Sequence, residues 1–267
     1  MSLALEFLKR DALIAISYRT AFVTQLGGNI VVLAVFYFIG KMFAGTEIEA
    51  LDRYGGNYAA FLLIGIALTD SLGVSVSTFA TQIREGQMTG ALEATMMSPV
   101  KLWRILVYSS LWSYVLSALR FSLYLALGLL FFSVDLEKAN LAASLLVFVL
   151  TVCSFAGLGM FWASIVMLVK RGEAIMNLLG GAFLLLGGVM FPISVLPEWL
   201  QVLSSLIPLT YGLEGMRLAL LQGFGLAQLA ETILILGGFS LVLITLGIVC
   251  FNASVWLVKE RGSLTQF

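Results

Sequence analysis

Long apolar runs separated by short polar segments dominate the chain. A membrane-spanning helix needs about 20 predominantly apolar residues, and six segments are long enough: 21–41, 57–82, 105–133, 141–169, 174–192 and 229–257. Residues 1–19 instead interleave apolar and charged side chains, a pattern typical of a helix in the membrane interface. The pattern predicts a single all-α membrane domain over residues 1–267, with six transmembrane helices and an amphipathic interfacial helix at its start.

Two further segments are neither spans nor tight turns. Residues 84–104 carry mixed charges, two glycines and a proline between the second and third predicted spans. Residues 191–227 are too apolar for a free loop, yet prolines interrupt them too often for a span. For this second segment we expect two short helices that dip into the outer leaflet, one near Pro197 and one from Tyr211 onward. Pro208 cannot continue the first of them.

Lysine and arginine counts predict the orientation. Cytoplasmic loops of membrane proteins carry an excess of basic residues. With six spans, ten basic residues fall on the side of the termini and four on the other. The ten are Lys9, Arg10, Arg19, Arg84, Lys101, Arg104, Lys170, Arg171, Lys259 and Arg261, and the four are Lys41, Arg53, Lys138 and Arg217. Both termini and residues 84–104 are therefore predicted to be cytoplasmic.

The composition argues against several functions. The chain is 60% hydrophobic and 11% charged, has no net charge, and contains no histidine. We therefore expect no nucleic-acid partner, no metal site and no catalytic residues. Cys153 and Cys250 lie in apolar runs, where a free cysteine behaves as a small hydrophobe. No G-x-x-x-x-G-K-[ST] motif occurs, so the chain has no phosphate-binding loop of its own.

Two charges lie near the middle of predicted spans, Asp70 in the second and Arg120 in the third. An unpaired charge at that depth costs about 2.5 to 3.5 kcal/mol. Because these spans are antiparallel and both charges sit at similar depth, the sequence predicts an ion pair. The pair could lock two helices together or line a translocation path. Glu214 and Arg217, three residues apart, are expected to form a local salt bridge, with a substrate role as the alternative.

Residues 84–104 contain a possible docking face. If 87–97 is one helix, Met88, Leu92 and Met96 form an i, i+4 row that Pro99 terminates. Methionine is flexible and polarizable, which suits contact with a moving partner. The alternative is a connector that packs only on its own chain.

Two stretches resemble a known family. GALEATMMSPV at 90–100 resembles the G-T-L-E-x-L-x-x-S-P-V stretch in permease subunits of ABC-2 type exporters. FPISVLPEWLQVLSSLIPLTYGLEGMR at 191–217 resembles that family's outer segment, F-P-x-x-x-L-P-x-W-L followed by N-P-L-T-Y and a helix ending in A-L-R or M-R. Ala91 and Ile207 depart from the pattern, which often has Thr and Asn there.

The resemblance implies half of a transporter. Two permease chains, expected to be identical, would sit in the cytoplasmic (inner) membrane with two separate ATPase chains, which bind ATP and Mg²⁺; this chain would bind neither. Residues 84–104 would then hold the coupling helix that docks on the ATPase. With the methionines of the helical row, the coupling residues are Met88, Gly90, Leu92, Glu93, Met96, Ser98 and Pro99. The outer segment contributes Pro192, Pro197, Trp199, Pro208, Tyr211, Glu214 and Arg217.

The cargo remains open between two classes. Few charges in the spans and an apolar outer segment favour a lipophilic cargo, such as a drug-like compound or a lipid, moved outward. A polysaccharide or lipid-linked glycan is the alternative within the family. Two other functions are possible alternatives to an ABC exporter. One is a secondary transporter that uses Asp70 for ion coupling, and the last is a membrane-embedded enzyme.

Overall fold

The computed structural model describes residues 3–17, 19–43, 49–131, 136–169 and 173–261, and every regular element in these ranges is a helix. The α-helices are α1 (Leu3–Ser17), α2 (Arg19–Met42), α3 (Tyr58–Met88), α4 (Ala91–Met96), α5 (Leu102–Phe131), α6 (Leu141–Val169), α7 (Glu173–Leu186), α8 (Glu198–Ser205), α9 (Pro208–Leu221) and α10 (Ala230–Arg261). Two 3₁₀ helices cover Glu49–Tyr54 and Ile193–Val195. The predicted all-α class is confirmed for these residues.

In the described part of the chain, four helices are long and apolar enough to cross a membrane: α3, α5, α6 and α10. Helix α2 has 24 residues, about 36 Å at 1.5 Å per residue, which is also the length of a span. The predicted span 174–192 is different, because α7 has only 14 residues, about 21 Å. It ends before Gly188, whose φ of +77° turns the chain. The count of six spans therefore stays a prediction.

Helix α6 lies at the centre of the bundle and packs against α3, α9 and α10. Ser154 and Gly157 of α6 meet Ser240 and Ile244 of α10, so these two helices run in the same direction. Helix α3 runs parallel to them and α5 runs antiparallel. We call the end of the bundle where α3, α6 and α10 begin the α9 end, and the opposite end the α4 end.

Small residues allow this close packing. A Cβ atom on Gly157 would lie 2.5 Å from the backbone nitrogen of Ile244, and one on Gly159 would lie 2.6 Å from the Ser75 carbonyl oxygen. The hydroxyls of Ser154 and Ser240 are 2.9 Å apart across the same α6–α10 contact. Small residues and interhelical hydrogen bonds are the usual basis of helix association in lipid, where burial of apolar surface gives little drive.

Helix α1 covers most of the segment predicted to lie in the membrane interface. It packs against α5, where the Phe7 and Tyr108 ring centroids are 6.1 Å apart. Apolar residues are grouped in two buried clusters. The larger joins α3, α5, α6, α9 and the first turns of α10 towards the α9 end, and the smaller joins α3, α4, α5, α6 and the later turns of α10 at the α4 end.

The close contact of α6 with α10 predicts a stability difference between two glycine variants. Gly157→Ala should lower stability by about 1–3 kcal/mol, because the new methyl group meets backbone atoms that cannot move aside. Gly238→Ala on α10 is the matched control, since nothing lies within 4 Å of its Cβ position. Thermal unfolding of the purified chains in detergent measures both. An unfolding midpoint for Gly157→Ala equal to that of the control would contradict the close packing.

Candidate transport and coupling sites

The structure brings together the two charged residues of the span interiors. Nη1 of Arg120 on α5 lies 3.7 Å from Oδ2 of Asp70 on α3, and both side chains are largely buried. This distance is too long for a hydrogen bond, and Oδ2 of Asp70 is a buried atom without a hydrogen-bond partner. The contact is therefore an ion pair without a direct hydrogen bond. It joins α3 and α5, which pack against each other.

A large apolar cavity of about 580 Å³ lies between α3, α6 and α7. Its walls include the aromatic side chains Phe155, Phe161, Trp162 and Phe183. The hydroxyls in the wall are already engaged: Thr69 donates to the Gly65 carbonyl at 2.7 Å, and Ser77 donates to the Gly73 carbonyl at 2.8 Å. Neither Asp70 nor Arg120 lines this cavity. The cavity therefore suits an apolar molecule.

The segment 84–104 does not form one helix over 87–97, so the condition for a row of Met88, Leu92 and Met96 is not met. Helix α3 continues to Met88 and is capped by Thr89, whose backbone N–H and hydroxyl both bond to the Glu85 carbonyl. Gly90 then has a φ of +70°, a conformation that glycine adopts without strain. A separate short helix, α4, follows. Met88 therefore belongs to a different helix from Leu92 and Met96, and the three do not form a row.

Leu92 and Met96 of α4 pack against their own chain. Leu92 is 5% exposed and packs in the cluster that contains Phe79 and Ile83, and Met96 is half-buried against the same cluster. Leu92 therefore packs on its own chain, which was the alternative to a docking face in the sequence analysis. The exposed methionines are Met88, at 73%, and Met97, at 86%.

The remaining coupling residues lie on or after α4. Glu93 is in α4, but its side chain lies outside the described part of the structure. The Ser98 hydroxyl oxygen accepts a hydrogen bond from the Val100 N–H at 3.2 Å. Pro99 is exposed one residue later, so the connection to α5 is short and turns sharply.

The segment 191–227 forms two short helices, as predicted, but the second begins earlier. Pro192 precedes the 3₁₀ helix Ile193–Val195, and Pro197 is the N-cap of α8. Pro208 is the first residue of α9, a position where its missing N–H has no consequence. Tyr211 therefore lies inside α9, where its hydroxyl donates to the Ser205 carbonyl at 3.1 Å.

The two short helices differ in burial. Trp199 on α8 is exposed, as expected of an interfacial anchor. Helix α9 is mostly buried against α6 and α3. It is therefore part of the protein core rather than a helix lying in lipid.

Arg217 does not form the predicted salt bridge with Glu214. Its guanidinium, in a residue only 2% exposed, donates to three carbonyls: Gly188 at 2.8 Å, Val189 at 2.9 Å and Phe61 at 3.1 Å. A Cβ at Gly65 would lie 2.9 Å from Nη2 of Arg217, so glycine there leaves room for the guanidinium.

Glu214 pairs instead with a residue far away in sequence. Its Oε1 lies 2.7 Å from Nη2 of Arg53 in the 3₁₀ helix Glu49–Tyr54. Sequence reasoning missed this partner, because nothing in the spacing of Glu214 and Arg53 indicates that they meet. Burial lowers the pKa of Arg217 to about 9, so this guanidinium remains a cation at neutral pH.

Comparison of the sequence with models of known protein families identifies the family of this chain. The model of the ABC-2 type transporter family matches residues 17–221. The chain belongs to the ABC-2 type transporter family. A comparison with curated protein sequences found no significant match. The matched range contains both of the stretches that resemble the family, and it includes α2 to α9. The chain is thus a multi-pass membrane permease of an ABC transporter.

The permease has a second cavity at the α9 end, of about 470 Å³. Its wall combines the Arg53–Glu214 pair with the aromatic residues Tyr54 and Tyr211 and the amide of Gln201. Burial raises the pKa of Tyr54 and the Glu214 carboxylate adds to this effect, so the phenol is neutral at physiological pH. This cavity is more polar than the one between α3, α6 and α7.

The proximity of Asp70 and Arg120 predicts rescue by charge exchange. Asp70→Arg alone should reduce the amount of folded permease, because it places two cations side by side at low dielectric. The double variant Asp70→Arg with Arg120→Asp should recover most of the loss. The yield of monodisperse protein after size-exclusion chromatography in detergent is the measurement. If the double variant recovers neither yield nor transport, the two groups do not depend on each other.

Proposed function

We propose that this permease is the membrane subunit of an ATP-driven exporter that moves a lipophilic cargo, such as a drug-like compound or a lipid, outward. The observation that carries the proposal is the apolar cavity of about 580 Å³ between α3, α6 and α7. Binding sites for small molecules are mostly apolar and fall in this size range. Because the hydroxyls in its wall bond to their own helices, the cavity has little to offer a polar cargo.

The energy for transport comes, in this proposal, from a separate ATPase subunit. The chain contains no G-x-x-x-x-G-K-[ST] motif that could cradle the phosphates of ATP. The α4 end holds the basic residues of the segment 84–104, which supports a cytoplasmic position for this end. Met88 and Met97 supply exposed, adaptable apolar surface there. A second copy of the permease completes the transporter in the arrangement that the family resemblance implies.

One observation favours the glycan alternative. The cavity at the α9 end has tyrosine rings, an amide and an ion pair in its wall. Aromatic faces combined with polar groups suit a sugar better than a hydrocarbon. A polysaccharide or lipid-linked glycan therefore remains the second candidate cargo.

If the ATPase docks at the α4 end, substitution of the exposed Met97 should weaken its binding to the permease. Met97→Asp should lower co-purification of the ATPase roughly tenfold, since a loss of about 1.4 kcal/mol in binding has that effect. The variant should still fold, because the side chain is exposed. Leu92→Asp should instead destabilise the permease itself, as it buries a charge.

Met42→Asp is the control for this experiment. Met42 is also highly exposed but lies at the end of α2, away from α4. Co-purification of the ATPase is measured for all variants after affinity capture of the permease. Equal ATPase recovery with Met97→Asp and Met42→Asp would show that Met97 is not in the interface.

The apolar cavity predicts an effect of filling it. Gly73→Phe should reduce cargo transport by about tenfold or more while basal ATPase activity of the complex is retained, because Gly73 lines the cavity and nothing lies within 4 Å of its Cβ position, so the new ring takes up cavity space. Gly238→Phe on α10 is the matched control. Nothing lies within 4 Å of its Cβ position either, and it does not line the cavity.

Stimulation of the ATPase rate separates the cargo classes. With purified complex, lipids or drug-like compounds should raise the rate in the parent protein and in Gly238→Phe, but not in Gly73→Phe. Stimulation by glycans alone, unaffected by Gly73→Phe, would overturn the lipophilic cargo and favour the second candidate.

A further inference from the structure

A third cavity, of about 320 Å³, lies at the α4 end between α10 and the connection from α4 to α5. Four polar residues line it: Ser98, Lys101, Asn252 and Lys259. Among the residues that the structure describes, no carboxylate lines the cavity, and the formal charges in its wall are the two lysine ammonium groups.

These two lysines come from distant parts of the sequence. Lys101 directly precedes α5, and Lys259 is in the last turn of α10. Among the residues that the structure describes, neither has an ion-pair partner. Two like charges brought into one cavity without a counter-charge attract an anion.

The neutral groups in the wall can also serve an anion. The Ser98 oxygen accepts from the Val100 N–H, which leaves its hydroxyl proton free to donate. The side-chain amide of Asn252, which is exposed on α10, has two N–H donors. Two cations and two neutral donors match the several acceptor oxygens of a phosphate group.

We propose that this cavity binds a phosphate group, and that the phosphate belongs to an anionic phospholipid of the adjacent leaflet. Apolar side chains share the wall with the polar ones, among them Met96, Leu102 and Val255. They suit the glycerol and first methylene groups of a lipid better than a free ion. Trp256, exposed one turn before Lys259, is of the residue type that marks the boundary between lipid and water.

Occupancy of the cavity has a consequence for α4. A phosphate that contacts Lys101 and Lys259 together joins the α4–α5 connection to the end of α10. Met96 and Ser98, which border the cavity, belong to the segment proposed to contact the ATPase. The lipid therefore holds that segment in one position. This regulatory effect depends on the proposed ATP-driven function, whereas the binding does not.

Lipid binding to the purified full-length permease tests the site. Native mass spectrometry in detergent counts bound phosphatidylglycerol and, in a separate titration, zwitterionic phosphatidylcholine. The double variant Lys101→Gln with Lys259→Gln should bind phosphatidylglycerol at least tenfold more weakly, since each lysine near a membrane surface contributes about fivefold in affinity. Phosphatidylcholine binding should not change.

The matched control removes the same number of charges elsewhere. Lys41→Gln with Lys138→Gln changes two exposed lysines that do not line this cavity, and should bind phosphatidylglycerol as the parent does. An equal loss in both double variants would overturn the site, because general charge would then explain the binding. Unchanged binding in the Lys101 and Lys259 variant would also overturn it. Thermal unfolding of both variants verifies that they are folded.

Inorganic phosphate distinguishes the two sources of the group. At millimolar concentration it should leave the bound phosphatidylglycerol in place. Displacement of the lipid by inorganic phosphate at that concentration, without a preference for either lipid, would show a site for a soluble anion and overturn the lipid assignment. In the complex with its ATPase, phosphatidylglycerol should alter the ATPase rate of the parent but not of the Lys101 and Lys259 variant. If the lipid binds as expected but no ATPase co-purifies with the permease, the proposed function is wrong and the lipid site stands.

Discussion

Gly157 and Gly159 let the backbone of α6 touch the helices on both of its sides, α10 and α3. In lipid the apolar surfaces of two helices gain little by meeting, so close van der Waals contact and hydrogen bonds between helices must hold a bundle together. The rest of the fold depends on this contact. It aligns α3 and α10 with α6, and it leaves the space between α3, α6 and α7 that forms the apolar cavity.

A second constraint acts where helices stop inside the protein. Backbone polar groups away from water need partners, and α7 ends early at Leu186. Arg217 supplies donors to the carbonyls of Gly188 and Val189 after this end, and to Phe61 near the start of α3. One buried side chain thus joins three elements. It also forms part of the wall of the polar cavity at the α9 end.

The two ends of the permease are specialised in different ways. At the α4 end, buried Leu92 anchors the short helix α4. Next to this helix lie the exposed side chains of Met88 and Met97 and the cavity with two lysines. At the α9 end, buried α9 and its ion pair with the 3₁₀ helix Glu49–Tyr54 close the bundle around a polar cavity. Between them lies the apolar cavity that is proposed to hold the cargo.

The sequence alone determined the all-α class, the approximate position of each long helix, the family and the meeting of Asp70 with Arg120. These features depend on the length of apolar runs, on local motifs and on the high energetic cost of a charge in lipid. Only the tertiary structure decided that Glu214 pairs with Arg53, that Leu92 is buried, and that Lys101 and Lys259 share a cavity. The reason is physical: spacing along a helix defines which residues share a face, whereas the packing of distant segments decides what that face meets.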